Sequence, residues 1–479
     1  MSPAPPGETD VAIIGLGPVG ATLAHLLAHH GLSVRVLERE EAAYPLPRAV
    51  HFDDEVMRVF QSIGLAEHIL PHTRLSPGMR FVDSRGRLLL DWSRPAETGP
   101  QGWNASYRFH QPALEQVLRD ALAARPEVLI EPGTEVTGLA PDGAGVDIAT
   151  TRGPRRARWV VGCDGARSFV RDTIGGGLED LGFDERWLVV DVILRRARED
   201  LGEHSVQFCD PARPATYVRG VGERRRFEIT LRDGEAPGDR ATPELAWPLL
   251  ARWITPEDAV LERAAVYTFR SAVARRWRAG ALLIAGDAAH LTPPFLGQGL
   301  CAGIRDAANL AWKLARVATG RAPEALLESY QAERAPHARA YIETAIRLGG
   351  LINTRAMAAT LGDVPEDRPA RMESIAPALG GFTAPLGRPF AQPRLQDGTR
   401  LDDRVGHRFA VLLAPGLGAA LSPAVMDALA ARGAVLVEDA ALAPALDPAG
   451  AVAALVRPDR HLLALAPDAA GVRRFLDHL

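Results

Sequence analysis

The sequence predicts an α/β fold in which a doubly wound, mostly parallel sheet is interrupted by a largely antiparallel one. The first observation is a β-branched run, Val11–Gly15, that enters a glycine-rich turn and is followed by helical apolar spacing over Ala21–His29 and a second short strand. The second is a series of strand-like runs with few helices between Trp187 and Arg232. The third is a return to α/β alternation, with a buried strand at Ala281–Ala285 and an amphipathic helix from about Gly299 to Ala318.

The other elements follow in chain order. Pro112–Ala124 is predicted as a helix that begins with proline in its first turn. Short alternating segments between residues 128 and 162 predict further strands. The stretch from about Asn353 to Pro393 is rich in proline, glycine and arginine, and we expect it to connect to a last module. The predicted strands of that module are residues 409–413, 434–438 and 461–465.

The composition is that of a globular chain with room for more than one core: 479 residues, 47% apolar and 24% charged. A net charge of -4 leaves no basic excess for phosphates, so nucleic acid is not expected as a partner. Cys163, Cys209 and Cys301 match no metal-binding spacing, so we expect no metal site and a reducing, cytoplasmic location. The N-terminal residues lack a secretory signal, and prolines interrupt the longest uncharged stretch, Phe409–Met426, so no membrane association is expected.

A glycine fingerprint lies at the first strand-to-helix turn. Gly15, Gly17 and Gly20 form GxGxxG, and Glu38 ends the next strand. The first glycine permits the tight turn, the second lets the backbone approach a pyrophosphate, and the third lets the helix pack on the strand. Unpaired amides at the helix start hold the phosphate, and the glutamate accepts hydrogen bonds from a ribose. The pattern predicts a dinucleotide site but leaves NAD and FAD open.

A second nucleotide signal lies at LLIAGDAAH, Leu282–His290, where a buried strand ends in Gly286 and Asp287. An acid at a strand end can hydrogen-bond a polyol. The following segment, Gly297–Gly299, aims backbone donors at whatever lies over the N-terminus of the next helix. An anion there gains about 0.3–1 kcal/mol per contact from the helix dipole. We therefore expect the second end of the same cofactor at this turn.

Three motifs together resemble one known family. They are GLGPVG at Gly15–Gly20 with Glu38, CDGARSFVR at Cys163–Arg171, and GDAAHLTPPFLGQGLCAGIRDAANLAWKL at Gly286–Leu314, continued by LLESYQAER at Leu326–Arg334. The sequence is thereby identified as a member of the FAD-dependent aromatic hydroxylases, the single-component flavoprotein monooxygenases. Within that family the segments PRAVHFDDE, WLVVD, CDPARP and RRFE look most like the 3-(3-hydroxyphenyl)propionate hydroxylases.

The resemblance implies a domain plan. A Rossmann-like FAD-binding domain would comprise residues 1–180 and 269–352, with a mostly antiparallel substrate-binding sheet, 181–268, inserted between its two parts. Residues 353–392 would form a linker. Residues 393–479 resemble a small thioredoxin-like C-terminal module, which here contains no cysteine and so cannot exchange disulfides.

The resemblance also implies the cofactor contacts. Glu38 would bind the adenosine ribose with Arg39 beside the adenine, and Asp287 would bind the ribityl hydroxyls. Arg48 and Gln111 would touch the phosphates or the ribityl chain. The complete implied FAD-binding set is Gly15, Gly17, Pro18, Val19, Gly20, Glu38, Arg39, Arg48, Gln111, Val136, Asp164, Gly165, Gly286, Asp287, Pro294, Gly297, Gln298, Gly299 and Leu300.

The implied reaction is hydroxylation of a phenolic ring by dioxygen through a flavin C4a-hydroperoxide. NAD(P)H would dock transiently to reduce the flavin, since only one GxGxxG is present. The candidate residues near the chemistry are His51, Tyr217, His290 and Pro294, the first three as bases for the phenol. The identity of the aromatic acceptor and the choice between NADH and NADPH are left open. A homodimer is possible, and the oligomeric state is also left open.

Two alternatives stay beside this reading. One is a Baeyer-Villiger or other oxidation of a polyketide-like aromatic on the same fold. The other is a redox-silent accessory protein that binds flavin and a pathway intermediate without turnover.

Overall fold

The computed structural model describes residues 9–236, 240–353, 370–371 and 376–479. The predicted α/β fold is confirmed: the strands of these residues form four sheets with helices packed against them. Half of the predicted linker, residues 354–369 and 372–375, lies outside the described residues.

The first sheet has eight strands in the described chain and carries the glycine fingerprint. Its central strands run parallel, because Thr9–Ile14 pairs with both Val34–Leu37 and Arg155–Gly162 in the same direction. They are short and β-branched, and Val11 and Ile13 are fully buried, as expected for a sheet covered on both faces. From one edge to the other the main path is Arg278–Ala279, Leu282–Ile284, Arg155–Gly162, Thr9–Ile14, Val34–Leu37 and Val128–Glu131, with Val146–Thr150 and Val136–Pro141 added antiparallel.

The second sheet has nine strands in the described chain and is mostly antiparallel. Its two longest strands pair with each other, and side chains alternate between the faces, so that Leu188 and Val190 join one apolar cluster while Trp187 joins another. In sheet order the strands are His290–Leu291, Ala259–Ala274, Leu178–Leu194, Arg224–Thr230, Ala215–Arg219, Ser205–Cys209, Gly78–Asp83, Leu88–Ser93 and Ala370–Arg371.

Two smaller sheets complete the strands. The third sheet joins His51–Asp53, Ser106–Phe109 and Thr73–Leu75, with Ser106–Phe109 in the middle. The fourth sheet lies near the C-terminus and has the order Val435–Glu438, Ala410–Leu413, Ala453–Val456 and Leu462–Ala466, in which only the first pair is parallel.

Helices pack against strands of all four sheets. The helix Gly299–Ala318 begins and ends as predicted, and almost all of its residues are buried. All the described helices are too short or too polar to cross a membrane. Their bounds are Pro18–His29, Asp54–Ser62, Ala66–Ile69, Gln111–Ala123, Phe169–Ile174, Pro243–Leu250, Gly299–Ala318, Glu328–Asn353, Leu401–Val405, Pro423–Ala431, Ala443–Leu446 and Ala469–Val472.

A buried ionic network attaches the C-terminal residues to the body of the protein. Arg457 donates to Glu333 at 2.9 Å and also pairs with Asp459, and Lys313 donates to the same glutamate at 2.7 Å. Trp312 on the helix Gly299–Ala318 packs edge-on against Phe409, with 5.4 Å between ring centroids. These contacts hold the helix Gly299–Ala318 in place through residues near its C-terminal end.

Some strands were not predicted. No element was predicted for residues 78–93, but they form two strands that extend the second sheet. Gly78–Asp83 pairs in parallel with Ser205–Cys209, more than a hundred positions later in the chain. The local sequence pattern cannot reveal a strand partner at that distance. The strand Ala453–Val456 in the fourth sheet was also missed.

Candidate active site

A large cavity of about 810 Å³ lies between the first and second sheets. On one side it is lined by residues that follow three parallel strands, among them Gly17, Gly165 and Asp287. On the other side it is lined by one face of the second sheet, including Val189 and Glu228. Clefts at the carboxyl ends of parallel strands are where open α/β sheets bind ligands.

Glycine is required at the three fingerprint positions for different physical reasons. Gly15 has φ +101°, and a Cβ there would overlap the carbonyl of Cys163. A Cβ on Gly20 would overlap the carbonyl oxygen of Gly15, so both glycines are required by packing within the protein. A Cβ on Gly17 would meet no atom within 4 Å, and Gly17 lines the cavity with Pro18 and Val19. The open space above Gly17 is room for an occupant.

Glu38 closes the turn from the neighbouring strand. Its carboxylate accepts hydrogen bonds from the backbone of Leu16 at 2.7 Å and Glu40 at 3.0 Å and is half-buried. Arg39 is exposed and pairs with Glu40, and Val136 is buried in its strand. Glu38, Arg39 and Val136 lie outside the cavity lining.

Asp287 faces the cavity from the end of the strand Leu282–Ile284. Within the described part of the chain its carboxylate makes no hydrogen bond, although the surrounding protein, by desolvation, raises its pKa. The side chain is exposed to the cavity, so a donor on an occupant can reach the carboxylate. A polyol would supply such a donor.

The segment after Asp287 brings backbone amides to the cavity. Pro294, Gly297, Gln298, Gly299 and Leu300 all line it. Gly297 has φ +63°, a left-handed conformation that favours glycine. The helix then begins at Gly299, so its first unpaired amides and the positive end of its dipole face the cavity.

Arg305 holds this turn through hydrogen bonds, and it was not among the predicted site residues. Its Nη1 donates to Oε1 of Gln298 at 3.1 Å, and its Nη2 donates to Asp53 at 2.6 Å. Gln298 in turn donates to Asp53 at 3.2 Å, and Nε of Arg305 donates to Glu55. Asp53 and Glu55 belong to the PRAVHFDDE segment, whose acids are the one signal that pointed here.

The side chain of Gln111 holds the loop that carries Arg48. Its Oε1 accepts from the backbone of Arg48 at 3.2 Å and of Ala49 at 2.6 Å. Arg226 donates to the carbonyls of Pro47 and Arg48 from the second sheet. Arg48 and Gln111 both line the cavity, on a loop tied down from two sides.

Asp164 and Gly165, in the motif CDGARSFVR, have different roles. Asp164 accepts from the amide of Val170 at 3.2 Å and from the hydroxyl of Ser168, so it orders the start of the helix Phe169–Ile174. It lies behind the cavity wall. Gly165 has φ +77° and lines the cavity itself.

Gly286 and His290 belong to a buried network behind the wall. His290 is fully buried, with its Nε2 2.6 Å from Asp306. Asp306 also accepts from the amide of Gly286 at 3.1 Å and from Nε of Arg334 at 2.8 Å. His290 does not reach the cavity, so the structure gives it a packing environment rather than the substrate contact expected of a base.

His51 and Tyr217 are placed differently from each other. His51 lines the cavity, but its Nδ1 lies 3.2 Å from the carbonyl of Gly297 and its Nε2 2.9 Å from the hydroxyl of Ser106. Burial and nearby Arg108 lower its pKa to about 3, so it is neutral with both nitrogens engaged. Tyr217 points to the opposite face of the second sheet and packs on Phe227, away from the cavity.

The second sheet supplies the other end of the cavity. Val189 lines the cavity, whereas Phe208 and Phe227, on other strands of the same sheet, face the other way. The charged groups at this end were not predicted as site residues, and Glu228 is the most buried of the acids there, at 8% exposed. The apolar walls are Met79, Trp92, Val189, Val218, Phe269, Phe295 and Leu296.

Glu228 and Arg108 give this apolar end its polarity. Burial raises the pKa of Glu228, and Nη1 of Arg226 lies 3.9 Å from its carboxylate. Arg108 donates to the hydroxyl of Ser205 at 2.8 Å, and burial lowers its pKa to about 10. In the described residues no group of histidines, cysteines and acids has the arrangement of a metal site.

The residues present fit an extended dinucleotide. Open backbone at Gly17, an unpartnered acceptor at Asp287 and the helix start at Gly299 face one continuous space. A model of the family described as an FAD binding domain matches residues 8–345.

Sequence alignments with named hydroxylases support the same family. The chain is 46% identical over 358 residues to a probable NADH-specific resorcinol 4-hydroxylase of Rhodococcus jostii (strain RHA1), an alignment that covers 72% of this chain and 66% of that protein. It is 36% identical over 453 residues to a 3-(3-hydroxy-phenyl)propionate/3-hydroxycinnamic acid hydroxylase of Mycobacterium avium (strain 104), covering 85% of this chain and 76% of the relative.

Solved structures share the fold. The flavin-dependent monooxygenase PieE, solved with FAD and substrate, superposes with a TM-score of 0.81 at 22% identity over 99% of this chain and 98% of that one. The OxyS anhydrotetracycline hydroxylase from Streptomyces rimosus superposes with a TM-score of 0.77 at 25% identity over 96% of each chain. The chain therefore belongs to the FAD-binding family of flavoprotein aromatic hydroxylases, with FAD as its cofactor.

Proposed function

We propose that the protein is a monooxygenase that uses FAD, NAD(P)H and dioxygen to hydroxylate a phenolic ring. The observation that carries the proposal is the large cavity that joins the glycine turn at Gly17, the turn at Gly297–Leu300 and the mixed apolar and polar face of the second sheet. A cofactor gripped at both turns would leave the rest of the cavity for a substrate the size of an aromatic ring. The family membership and the names of the relatives support the same reaction.

We propose that FAD is held along the wall formed by the first sheet. Glu38 would accept from the adenosine ribose, and the amides near Gly17 and Val19 would hold the pyrophosphate at the start of the helix Pro18–His29. Asp287, which has no hydrogen bond in the described chain, would accept from the ribityl hydroxyls. Arg39 and Val136 stay predictions for the adenine end.

The flavin ring would lie against Pro294 and the turn Gly297–Leu300. There the helix Gly299–Ala318 presents unpaired amides and a positive dipole end, which stabilise negative charge on the edge of a reduced flavin. Bound FAD, once reduced, supplies the electrons that activate dioxygen for insertion into the ring. The protein's own part is to orient the ring, hold the substrate beside it and exclude water.

His51 serves this arrangement as a positioning residue. Its ring bridges the carbonyl of Gly297 and the hydroxyl of Ser106, and a Cβ on Gly297 would approach its Nδ1 to 3.1 Å. The imidazole therefore holds the flavin-facing turn against the third sheet. His290 would position the turn at Gly286 indirectly, through its contact with Asp306. The geometry does not favour a role for Tyr217 in proton transfer.

The substrate would occupy the end of the cavity at the second sheet. The relatives are named for resorcinol, 3-(3-hydroxyphenyl)propionate and 3-hydroxycinnamic acid, all of them phenols with a second group in the meta position. We propose a meta-substituted phenol as the substrate class. The relative at 46% identity is named as NADH-specific, which favours NADH as the reductant.

We propose the domain plan predicted from the sequence, with one adjustment. Residues 1–180 and 269–352 would form the FAD-binding domain and 181–268 the substrate-binding sheet, to which residues 78–93 also contribute strands. A thioredoxin-like module at 393–479 is supported by the fourth sheet, whose second, first, third and fourth strands lie in that order with the third antiparallel to the first. A cytoplasmic location and a homodimer stay predictions.

The test is turnover with defined phenols. Purified protein with FAD is mixed with NADH or NADPH and either resorcinol or 3-(3-hydroxyphenyl)propionate, and reductant oxidation, oxygen uptake, hydrogen peroxide and product mass are followed. We expect phenol-stimulated NADH oxidation and a product that carries one additional ring hydroxyl. An ester or lactone product would favour Baeyer-Villiger oxidation. A flavin that stays oxidised with NADH, NADPH and every phenol would favour an accessory role and contradict the proposal.

A further inference from the structure

We propose that Glu228 is a catalytic residue whose carboxylate accepts the hydrogen bond of the phenolic hydroxyl and takes its proton as the ring is oxygenated. The inference rests on the proposed hydroxylase function and assigns a residue to it.

Glu228 stands in the middle of the cavity-facing surface of the second sheet. It lies on the strand Arg224–Thr230, and the sheet register places it opposite Val189 on one neighbouring strand and Thr216 on the other. All three residues line the cavity, so they form one row across the substrate end. Glu228 is 8% exposed and its open side faces that space.

The carboxylate of Glu228 has no hydrogen-bond partner among the residues that the structure describes. Nη1 of Arg226 lies 3.9 Å away, and that guanidinium is already bound to Asp191 at 2.7 Å and to two backbone carbonyls of the loop at Pro47 and Arg48. A buried carboxylate without a hydrogen-bond donor is costly, because it has given up water and the nearby arginines compensate only in part. The missing donor is supplied by whatever fills the cavity.

The charges around Glu228 suit it to accept a proton. Arg226 lies on its own strand, Asp191 on the strand Leu178–Leu194 and Arg108 on the strand Ser106–Phe109. Burial, with a contribution from Asp191, raises the pKa of Glu228, and it does so against the two arginines. A general base works best when its pKa approaches the operating pH, so an elevated carboxyl pKa favours this role.

Four other polar groups near the cavity are already engaged or lie elsewhere. Both nitrogens of His51 are within hydrogen-bond distance of partners, and His290 is buried against Asp306. Thr216 donates its hydroxyl to Gln207 at 2.7 Å. Asp287 lies at the opposite wall, where the cofactor is expected. Glu228 is the acid that the substrate end leaves available.

The proton step balances within the substrate and Glu228. The phenolic O–H bond breaks, a new O–H bond forms on the carboxylate, and the electron pair left on the phenol oxygen is shared with the ring. The carbons ortho and para to that oxygen become more nucleophilic toward the oxygen atom that the proposed reaction delivers. The proton returns to solvent from Glu228 after the product leaves.

The experiment compares Glu228→Gln, Glu228→Asp and Glu262→Gln in the FAD-loaded enzyme, with resorcinol, NADH and dioxygen from pH 5 to pH 8.5. Glu262 is the matched control: it is a glutamate of the same sheet, lies outside the cavity lining and pairs with Arg224 at 3.0 Å. Product formation and hydrogen peroxide are measured separately, so that loss of coupling is seen apart from loss of flavin reduction.

We expect product formation by Glu228→Gln to fall by about 100-fold or more at pH 7, in the range typical of a lost general base. Hydrogen peroxide should rise and FAD content should stay at the wild-type level. The wild-type enzyme should lose activity on the acid side as Glu228 becomes protonated, and this acid limb should be missing in Glu228→Gln. The Glu262→Gln variant should keep the wild-type profile, and Glu228→Asp should keep an acid limb at a shifted pH.

An unchanged rate and profile in Glu228→Gln overturns the inference. So does a slower Glu228→Gln whose pH profile keeps the wild-type shape, because that result indicates a structural role alone. If Glu228→Gln does not fold, an acid limb at the wild-type pH in Glu228→Asp overturns it instead. A wild-type enzyme that forms no hydroxylated product from any phenol refutes the proposed function itself, whereas turnover by the wild type that Glu228→Gln matches refutes only the role of Glu228.

Discussion

Alanine at Gly17 and at Gly20 should separate cofactor binding from folding. Gly17 has φ -74° and ψ -178°, which alanine adopts freely, and a Cβ there meets no atom within 4 Å. The apoprotein should therefore lose no more than about 1 kcal/mol, because alanine is a poorer residue than glycine at a helix N-cap. Gly20→Ala is the matched control, since its methyl would overlap the carbonyl oxygen of Gly15.

The size of the effect on FAD follows from what the methyl displaces. It occupies the side of Gly17 that lines the cavity, where a pyrophosphate would approach the first amides of the helix Pro18–His29. Hydrogen bonds to a charged group contribute about 1.5–3 kcal/mol each. Losing one should therefore raise the dissociation constant for FAD by roughly 10- to 150-fold. Gly20→Ala should instead lower the free energy of unfolding of the apoprotein by about 1–3 kcal/mol or more through overpacking.

The assay is an FAD titration of apoprotein, followed by quenching of flavin fluorescence, with urea unfolding of the same apoprotein in parallel. Gly17→Ala should show weak FAD binding and nearly normal unfolding, and Gly20→Ala should show the larger loss of stability. Wild-type affinity for FAD in Gly17→Ala would refute the reasoning that this wall holds the pyrophosphate.

Two further predictions concern buried ionisable groups. Despite burial, which by itself raises the pKa of a carboxyl, His290 and Arg334 hold the pKa of Asp306 below its ordinary range, so Asp306→Asn should strand Arg334 and lower the free energy of unfolding by about 3 kcal/mol in urea titrations; a loss below about 1 kcal/mol would contradict this. Burial lowers the pKa of His25 to about 4, so its stabilising contribution is complete above pH 6.5 and is lost as the pH falls toward 4. From pH 7 to pH 5, His25→Gln should lose about 2 kcal/mol less stability than the wild type, and parallel stability profiles would contradict that assignment.

The nucleotide-binding half could be predicted from sequence because its determinants are local. A glycine turn, the strand before it and the helix after it occupy adjacent positions, so Gly15, Gly17 and Gly20 identify themselves by spacing. The predicted turn at Gly297–Gly299 and the helix that follows it are found at the same residues. Arg305 was missed because its role depends on Asp53, about 250 positions away in the chain.

The substrate half could not be predicted in the same way. Whether a strand residue faces the cavity or the opposite core depends on the sheet register, and a shift of one residue exchanges the faces. Tyr217 and Glu228 lie on paired strands, yet Tyr217 faces the apolar cluster with Phe227 and Glu228 faces the cavity. An isolated aromatic residue was the more visible candidate in the sequence, and a glutamate within an arginine-rich strand had no local feature to mark it.

The most direct test of the central claim is an experimental structure of the protein with FAD bound. The adenosine should lie beside Glu38, the ribityl chain beside Asp287, and the flavin ring against Gly297–Leu300 with its open face toward Glu228. Density for the flavin ring outside this cavity, or a protein that binds no FAD at all, would contradict the claim that one cavity holds both the cofactor and the phenol.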